Sequence, residues 1–234
     1  MISGMANDFH TTRWTLVRQS RGDDTLSRQA LSDLCAVYYA PVVAFIGRSG
    51  FEETRARDLA HDFFARLLAS PQSLKPEEGR GKFRSYLLGA ARHFVADMLD
   101  RERSLKRGGG AEVARLTETG MALPDGSALA PDRAFDRQWA LTVLERVIQG
   151  LATEFAEAGR ESHFALLKPW LIGEEAALSQ AEAAARLGMN EGALKVAIHR
   201  LRKRFRELIR TEIAQTVGSE AEAREELAHL LAAM

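Results

Sequence analysis

The sequence predicts an all-α protein made of two small helical domains joined by a flexible linker. Three observations lead there. Apolar residues recur at three- and four-residue steps, in Leu59, Phe63 and Leu67 and again in Phe83, Leu87, Ala90/Ala91, Phe94 and Met98. That is the period of a helix face, and alternating β-branched stretches are few. Between Lys106 and Asp132 the periodicity stops, and Gly108-Gly109-Gly110, Gly120, Pro124, Gly126 and Pro131 appear. Glycine frees the backbone and proline interrupts helices. A break of about 25 residues is too long for a loop inside one compact domain. The length of 234 residues accommodates one or two domains at roughly 100–200 residues each.

The expected helices are 12–20, 25–47, 54–69, 82–104, 134–157, 161–172, 179–187, 190–215 and 219–232. They give an N-terminal domain over 8–105, a linker over 106–132, a C-terminal domain over 133–215 and an acidic helical tail over 216–234. The clearest local signals lie late in the chain. Ser179 and Glu182 form a Ser-x-x-Glu capping box. Ala184 is small where two crossing helices would touch, and Leu187 closes the apolar face. Gly188 supplies a turn of positive φ. Met189 packs inward and Asn190 caps the next helix. That helix would bury Leu194, Ala197/Ile198, Leu201, Phe205 and Leu208, and present Lys195, His199, Arg202/Lys203 and Arg206 on its other side. The pattern is a helix-turn-helix, whose second helix enters the major groove, where cations reach phosphates and guanine edges. A plain helical hairpin with a charged surface is the other reading of these residues. In the tail, Ser219 and Glu222 form a further capping box before an apolar Leu227/Leu230/Leu231 face. This helix is expected either to pack incidentally or to cover a basic surface.

Hydrophobic residues make up 46% and charged residues 27%, which excludes wholesale disorder and fibrous repeats. The one cysteine, Cys35, excludes an internal disulfide and fits a reducing compartment. The stretch from Met1 to Leu16 has no secretory pattern. No uninterrupted apolar run of about 18 residues occurs, so the expectation is a soluble cytoplasmic protein without membrane insertion. Thirty-two basic residues balance 32 acidic ones, but they are partitioned. Arg80 to Arg107 holds eight basic and three acidic residues, and Asn190 to Arg210 holds seven and two. Acid is concentrated at Glu52, Glu53, Asp58 and Asp62, and in the tail at Glu220, Glu222, Glu225 and Glu226. Two basic segments far apart in sequence suggest two contacts with a polyanion. For either segment alone, a solvated face is the simpler reading.

No catalytic reading is supported. The chain lacks a phosphate-binding loop, a His-Glu-x-x-His pair and a Gly-x-Ser-x-Gly elbow. The six histidines, at 10, 61, 93, 163, 199 and 229, show no ligand spacing. No metal and no cofactor is expected. Trp14, Trp139 and Trp170 read as packing anchors.

In the N-terminal domain, Asp58, Asp62 and Arg66 follow at i, i+4 and i+8, away from Phe63 and Leu67. Such an acidic and apolar helix suits a basic partner, but for this segment alone a solvated face with an Asp62–Arg66 pair is the simpler reading. Next, Gly79-Arg-Gly-Lys-Phe-Arg-Ser-Tyr86 mixes aromatic and cationic residues, as unpaired bases require. Phe83 reads as core, and Tyr86 as either core or stacking surface.

Together these segments resemble the extracytoplasmic-function sigma factors of the sigma-70 family, over about residues 9–213. Asp58-Leu-Ala-His61-Asp62-Phe63-Phe64 resembles the family's Asp-Leu-x-Gln-Glu-x-Phe. Lys82 to His93 resembles Phe-Arg-x-Trp-Leu-x-x-Ile-Ala-Arg-Asn, with Tyr86 in place of Trp and His93 in place of Asn. Glu182 to Gly188, with Leu194-Lys195 and His199 to Arg202, resembles the domain-4 helix-turn-helix. The resemblance implies a sigma-2-like and a sigma-4-like domain, with a linker that threads a polymerase channel. It implies core RNA polymerase, through its β′ clamp and β flap, and promoter DNA as partners, and admits an anti-sigma factor. Core binding would fall to Asp58, His61, Asp62, Phe64 and Arg66. The −10 element would fall to Arg80, Lys82, Arg84, Tyr86, Arg92, His93 and Arg101. The −35 element would fall to Glu191, Lys195, His199, Arg200, Arg202 and Lys203. Two other functions compete: a one-component repressor that binds DNA without polymerase, and a scaffold or anti-activator that binds protein only.

Overall fold

The computed structural model describes residues 13–19, 25–69, 82–108, 129–172 and 178–234. Every regular element among them is an α-helix, as the periodicity predicts. In order they are α1 (Arg13–Gln19), α2 (Thr25–Arg48), α3 (Glu53–Ala69), α4 (Phe83–Gly108), α5 (Pro131–Glu157), α6 (Glu161–Ile172), α7 (Gln180–Arg186), α8 (Glu191–Ala214) and α9 (Glu220–Ala232). The largest departures from expectation flank the expected linker. There α4 continues to Gly108, and α5 begins at Pro131 rather than at residue 134. A proline at the first helical position has its φ already set and loses no hydrogen bond. Residues 109–128 of the expected linker lie outside the described residues.

The chain divides into two compact units, one of residues 1–142 with 213–234 and the other of 143–212. These bounds differ from the expected domains. The first turns of α5 and the segment after Glu212 belong with the N-terminal helices. The reason is burial: Phe135, Trp139 and Val217 have no exposed surface.

In the first unit α2 packs against α1, α3 and α4. The core is a chain of rings. Phe83 of α4 lies 5.1 Å from Trp14 of α1 and 5.1 Å edge-on from Tyr38 of α2. Tyr38 stacks on Phe135 of α5 at 6.2 Å, and Phe63 meets Phe94 at 5.5 Å. Such pairs add about 0.5–1.5 kcal/mol beyond their buried area. The stretch Arg28–Arg48 is long and apolar enough, by length and composition, to cross a membrane, with a mean hydropathy of 1.6. This departs from the expectation that no such helix exists. Its residues Leu31, Leu34, Val37, Val42, Phe45 and Ile46 are buried in the core of this unit. Burial also pushes the Cys35 thiol up to about 12, so it stays protonated and unreactive at neutral pH.

The chain leaving α8 caps two other helices. The Trp14 N–H donates to the Gln215 carbonyl at 3.1 Å, and the Phe83 N–H donates to the Thr216 carbonyl at 3.0 Å. The Arg13 N–H donates to Gln215 Oε1 at 3.3 Å. The first N–H groups of a helix have no partner within it, so residues 215 and 216 satisfy the starts of α1 and α4.

The second unit buries Leu151, Phe164, Leu167, Ala183, Ala184, Leu194, Ile198 and Leu201, with Trp170, Met189, Phe205 and Leu208 packed around them.

Phe83→Ala should cost about 3–5 kcal/mol, because it empties the site where the rings of α1 and α2 converge. Urea denaturation of the full chain measures this; a loss under about 1 kcal/mol would contradict the ring packing.

Candidate nucleic-acid and polymerase interfaces

The caps and the turn between α7 and α8 form where the sequence places them. Ser179 caps α7, and the box is reciprocal: the Glu182 N–H donates to Ser179 Oγ at 3.3 Å, and the Ser179 N–H donates to Glu182 Oε2 at 2.8 Å. The Ser179 hydroxyl, donating to Glu182 Oε2 at 2.7 Å, and then the Ser179 N–H hold the Glu182 carboxyl below its usual range. Gly188 takes φ +66°, a conformation that costs a residue with a side chain about 1–2 kcal/mol. Asn190 Oδ1 then accepts the Ala193 N–H at 2.8 Å and caps α8. With Leu194, Ile198 and Leu201 turned to the core, Glu191, Lys195, His199, Arg200, Arg202 and Lys203 are all exposed. Arg202 donates from Nε and Nη2 to the Trp170 carbonyl, at 3.1 and 2.7 Å, which ties α8 to the end of α6. Arg204 is bound to Glu154 of α5, with Nε 3.0 Å from Oε2. Val196 is 49% exposed among the cations. Sequence reading passed over it; its place beside Lys195, one turn after Gly192, was the available signal.

On α3, Asp58, His61, Asp62 and Arg66 are exposed on one helix. Phe64 is not: it is buried against Phe63 at 5.1 Å and Tyr39 at 6.1 Å. The expectation that Phe64 offers a docking surface is corrected accordingly; it braces the helix from inside. Asp62 and Arg66 form no pair, and the Arg66 guanidinium lies over the Phe94 ring, 5.2 Å from its centre. Tyr39 of α2 joins this face unforeseen. Its ring stacks on His61 at 5.1 Å, and its hydroxyl lies 2.9 Å from His61 Nε2.

The α4 residues are the least like their expectation. Arg80 lies outside the described residues. Arg92, His93 and Arg101 are exposed, but Arg92 is forked onto Asp132 of α5, with Nε–Oδ1 3.1 Å and Nη2–Oδ2 2.5 Å. Tyr86 is half-buried, 6.1 Å from the Trp14 ring. Arg84, expected to reach DNA, is only 7% exposed. Its Nε and Nη2 donate to the two carboxylate oxygens of Glu226 at 2.8 and 3.0 Å, and Nη1 donates to Asp136 at 2.6 Å. Its guanidinium also lies over Trp139, 5.2 Å from the ring centre. Lys82 Nζ stands 2.9 Å from Glu225 and 3.2 Å from Glu226. His229 of α9 completes the group, with Nε2 3.0 Å from Asp136.

Glu226 has no exposed surface. Burial alone would raise its carboxyl, but the hydrogen bonds and charge of Arg84, and then Lys82, outweigh burial and hold it below its ordinary value of 4.5. Burial likewise works against the charge on Arg84, and the bonds to Glu226 and the charge of Asp136 outweigh it and raise that group. Among the described residues no group of three or more His, Cys, Asp or Glu side chains could hold a metal ion.

Because the folded carboxyl of Glu226 is depressed, its contribution to stability is complete above about pH 4.5 and is lost as the pH falls through the lower folded value. Urea midpoints from pH 3 to 7 should fall on the acid side, and Glu226→Gln should flatten that limb. At pH 7 Glu226→Gln should cost about 1–3 kcal/mol, because Arg84 loses one carboxylate and keeps only Asp136. Adding Arg84→Met should recover part of the loss; purely additive losses would show that the two residues are not coupled.

No family model matches this chain, and neither a curated protein nor a solved structure matches it.

Proposed function

We propose that the protein is a sigma subunit: it binds core RNA polymerase and directs transcription initiation at promoters with a −10 and a −35 element. The observation that carries the reading is the helix-turn-helix of the second unit. A capped α7, a positive-φ glycine and a capped α8 present Lys195, His199, Arg200 and Lys203 on the side opposite Leu194, Ile198 and Leu201. That arrangement lets the N-terminal half of α8 lie in a major groove, with its cations toward bases and phosphates. Asp58, His61 and Asp62 on α3 supply an acidic, solvent-facing helix for a basic partner. Arg92 and Arg101 give α4 cations at its exposed surface, with the His93 ring beside Arg92. In this reading polymerase performs the chemistry, and the chain supplies binding and promoter choice.

The direct test mixes the purified chain with bacterial core polymerase and fragmented genomic DNA, and maps the run-off transcripts. Discrete starts that share a two-part upstream element are the expected result. Tight duplex binding by the chain alone, with no binding to core, would replace this reading with a one-component repressor.

Two substitutions test the surfaces separately. Asp58→Ala with Asp62→Ala should weaken core binding at least tenfold and leave the thermal midpoint within a few degrees, since both side chains are exposed. Unchanged core affinity would remove α3 from the interface. Lys203→Ala should weaken promoter binding evenly across sequences and reduce the slope of log affinity against log salt by roughly 0.9, one phosphate contact. An unchanged slope would place Lys203 in solvent.

A further inference from the structure

From the partners of α4 we infer that α9 is an intramolecular substitute for nucleic acid: Glu225 and Glu226 occupy Lys82 and Arg84, and binding of a single strand to α4 requires their release. This rests on the sigma reading, in which α4 faces DNA.

Three observations meet here. First, the cations at the start of α4 are occupied selectively. Lys82 and Arg84 are held by Glu225 and Glu226 of α9, while Arg84 and Arg92 are also held by Asp136 and Asp132 of α5. Second, the geometry suits exchange. Arg84 grips Glu226 with a two-pronged fork, Nε to one oxygen and Nη2 to the other. A guanidinium grips a phosphate with the same fork. Third, α9 has little apolar attachment. Its buried residues are Glu226 and Leu230, Leu227 and His229 are half-buried with the His229 ring 6.1 Å from Trp139, and Leu231 is 69% exposed. A helix attached mainly through ion pairs is one that a polyanion and salt can compete away. The Asp132 and Asp136 pairs lie on α5, whose Phe135 and Trp139 are locked in the core, so α9 is the part that can leave.

The test uses the full chain and a fluorescent single-stranded DNA 20-mer, with affinity read by anisotropy over a range of salt. Glu225→Gln with Glu226→Gln should bind about tenfold tighter than the unmodified chain at low salt. Its salt slope should be steeper by about 0.7–1.4, since Lys82 is freed outright and Arg84 is still shared with Asp136, at roughly 0.7 per freed cation. Glu145→Gln with Glu157→Gln makes the same change in net charge at exposed sites of the second unit and should leave the slope unchanged. Equal slopes in all three proteins, or no binding by any of them, would overturn the inference. Should the α9 variant fail to fold, hydrogen exchange on the unmodified chain decides: amides of residues 220–232 should lose protection when the 20-mer saturates it. Full protection in the bound state would overturn the inference. Promoter-directed transcripts from the same preparation separate the two failures, because a chain that initiates with core polymerase yet shows no change at α9 keeps the sigma function and loses the substitute.

Discussion

The buried pair of Arg84 and Glu226 is the constraint that brings α4, α5 and α9 together in the first unit. A carboxylate without exposed surface stays ionised only where fixed cations replace its water. Arg84 and Lys82 do that for Glu226, and Asp136 satisfies the remaining prong of the guanidinium. Three helices distant in sequence are thereby set in one register: α4, α5 and α9. An ion pair of this kind adds little stability over an apolar pair of the same size, but leaving either half alone is costly. Its effect is to fix geometry. The neighbouring aromatic core agrees with it, since Arg84 lies over Trp139 and Phe83 joins Trp14 to Tyr38.

The two basic segments are alike in composition and unlike in use. On α8 the cations line the solvent side of an amphipathic helix, and Lys195, His199, Arg200 and Lys203 are exposed. Arg202 and Arg204 are spent on tying α8 to α6 and α5. At the start of α4, Lys82 and Arg84 are turned to carboxylates of the same unit, while further along Arg92, forked onto Asp132, and Arg101 and Arg103 are exposed. A surplus of charge in a sequence window therefore marks a capacity for anions, while the fold decides whether the anion is internal.

The same contrast separates what the sequence makes legible from what it does not. Helix ends and the α7–α8 turn were legible because their causes are local: Ser179 to Glu182, Gly188, and Asn190 to Ala193 all act within four residues. The burial of Leu194, Ile198 and Leu201 followed from a clean helical period. The role of Arg84 was not legible, because its partner lies 142 positions away. The split within α5 was hidden for a similar reason. Phe135 and Trp139 face one core and Leu151 another, yet one continuous helix carries all three. Phe64 was misplaced because it follows Phe63 directly, and Tyr39 from α2 closes over it. The apolar stretch of α2 is a core helix by its burial, which hydropathy along the chain does not reveal.

The most direct measurement on the central pair is a carbon-13 NMR titration of the Glu226 carboxyl in the full chain. Ionisation below 4.5, shifted further by Arg84→Met than by any exposed substitution, is the expected result. A carboxyl that titrates at or above its ordinary value would contradict the paired, ionised centre, and with it the grip of α9 on α4.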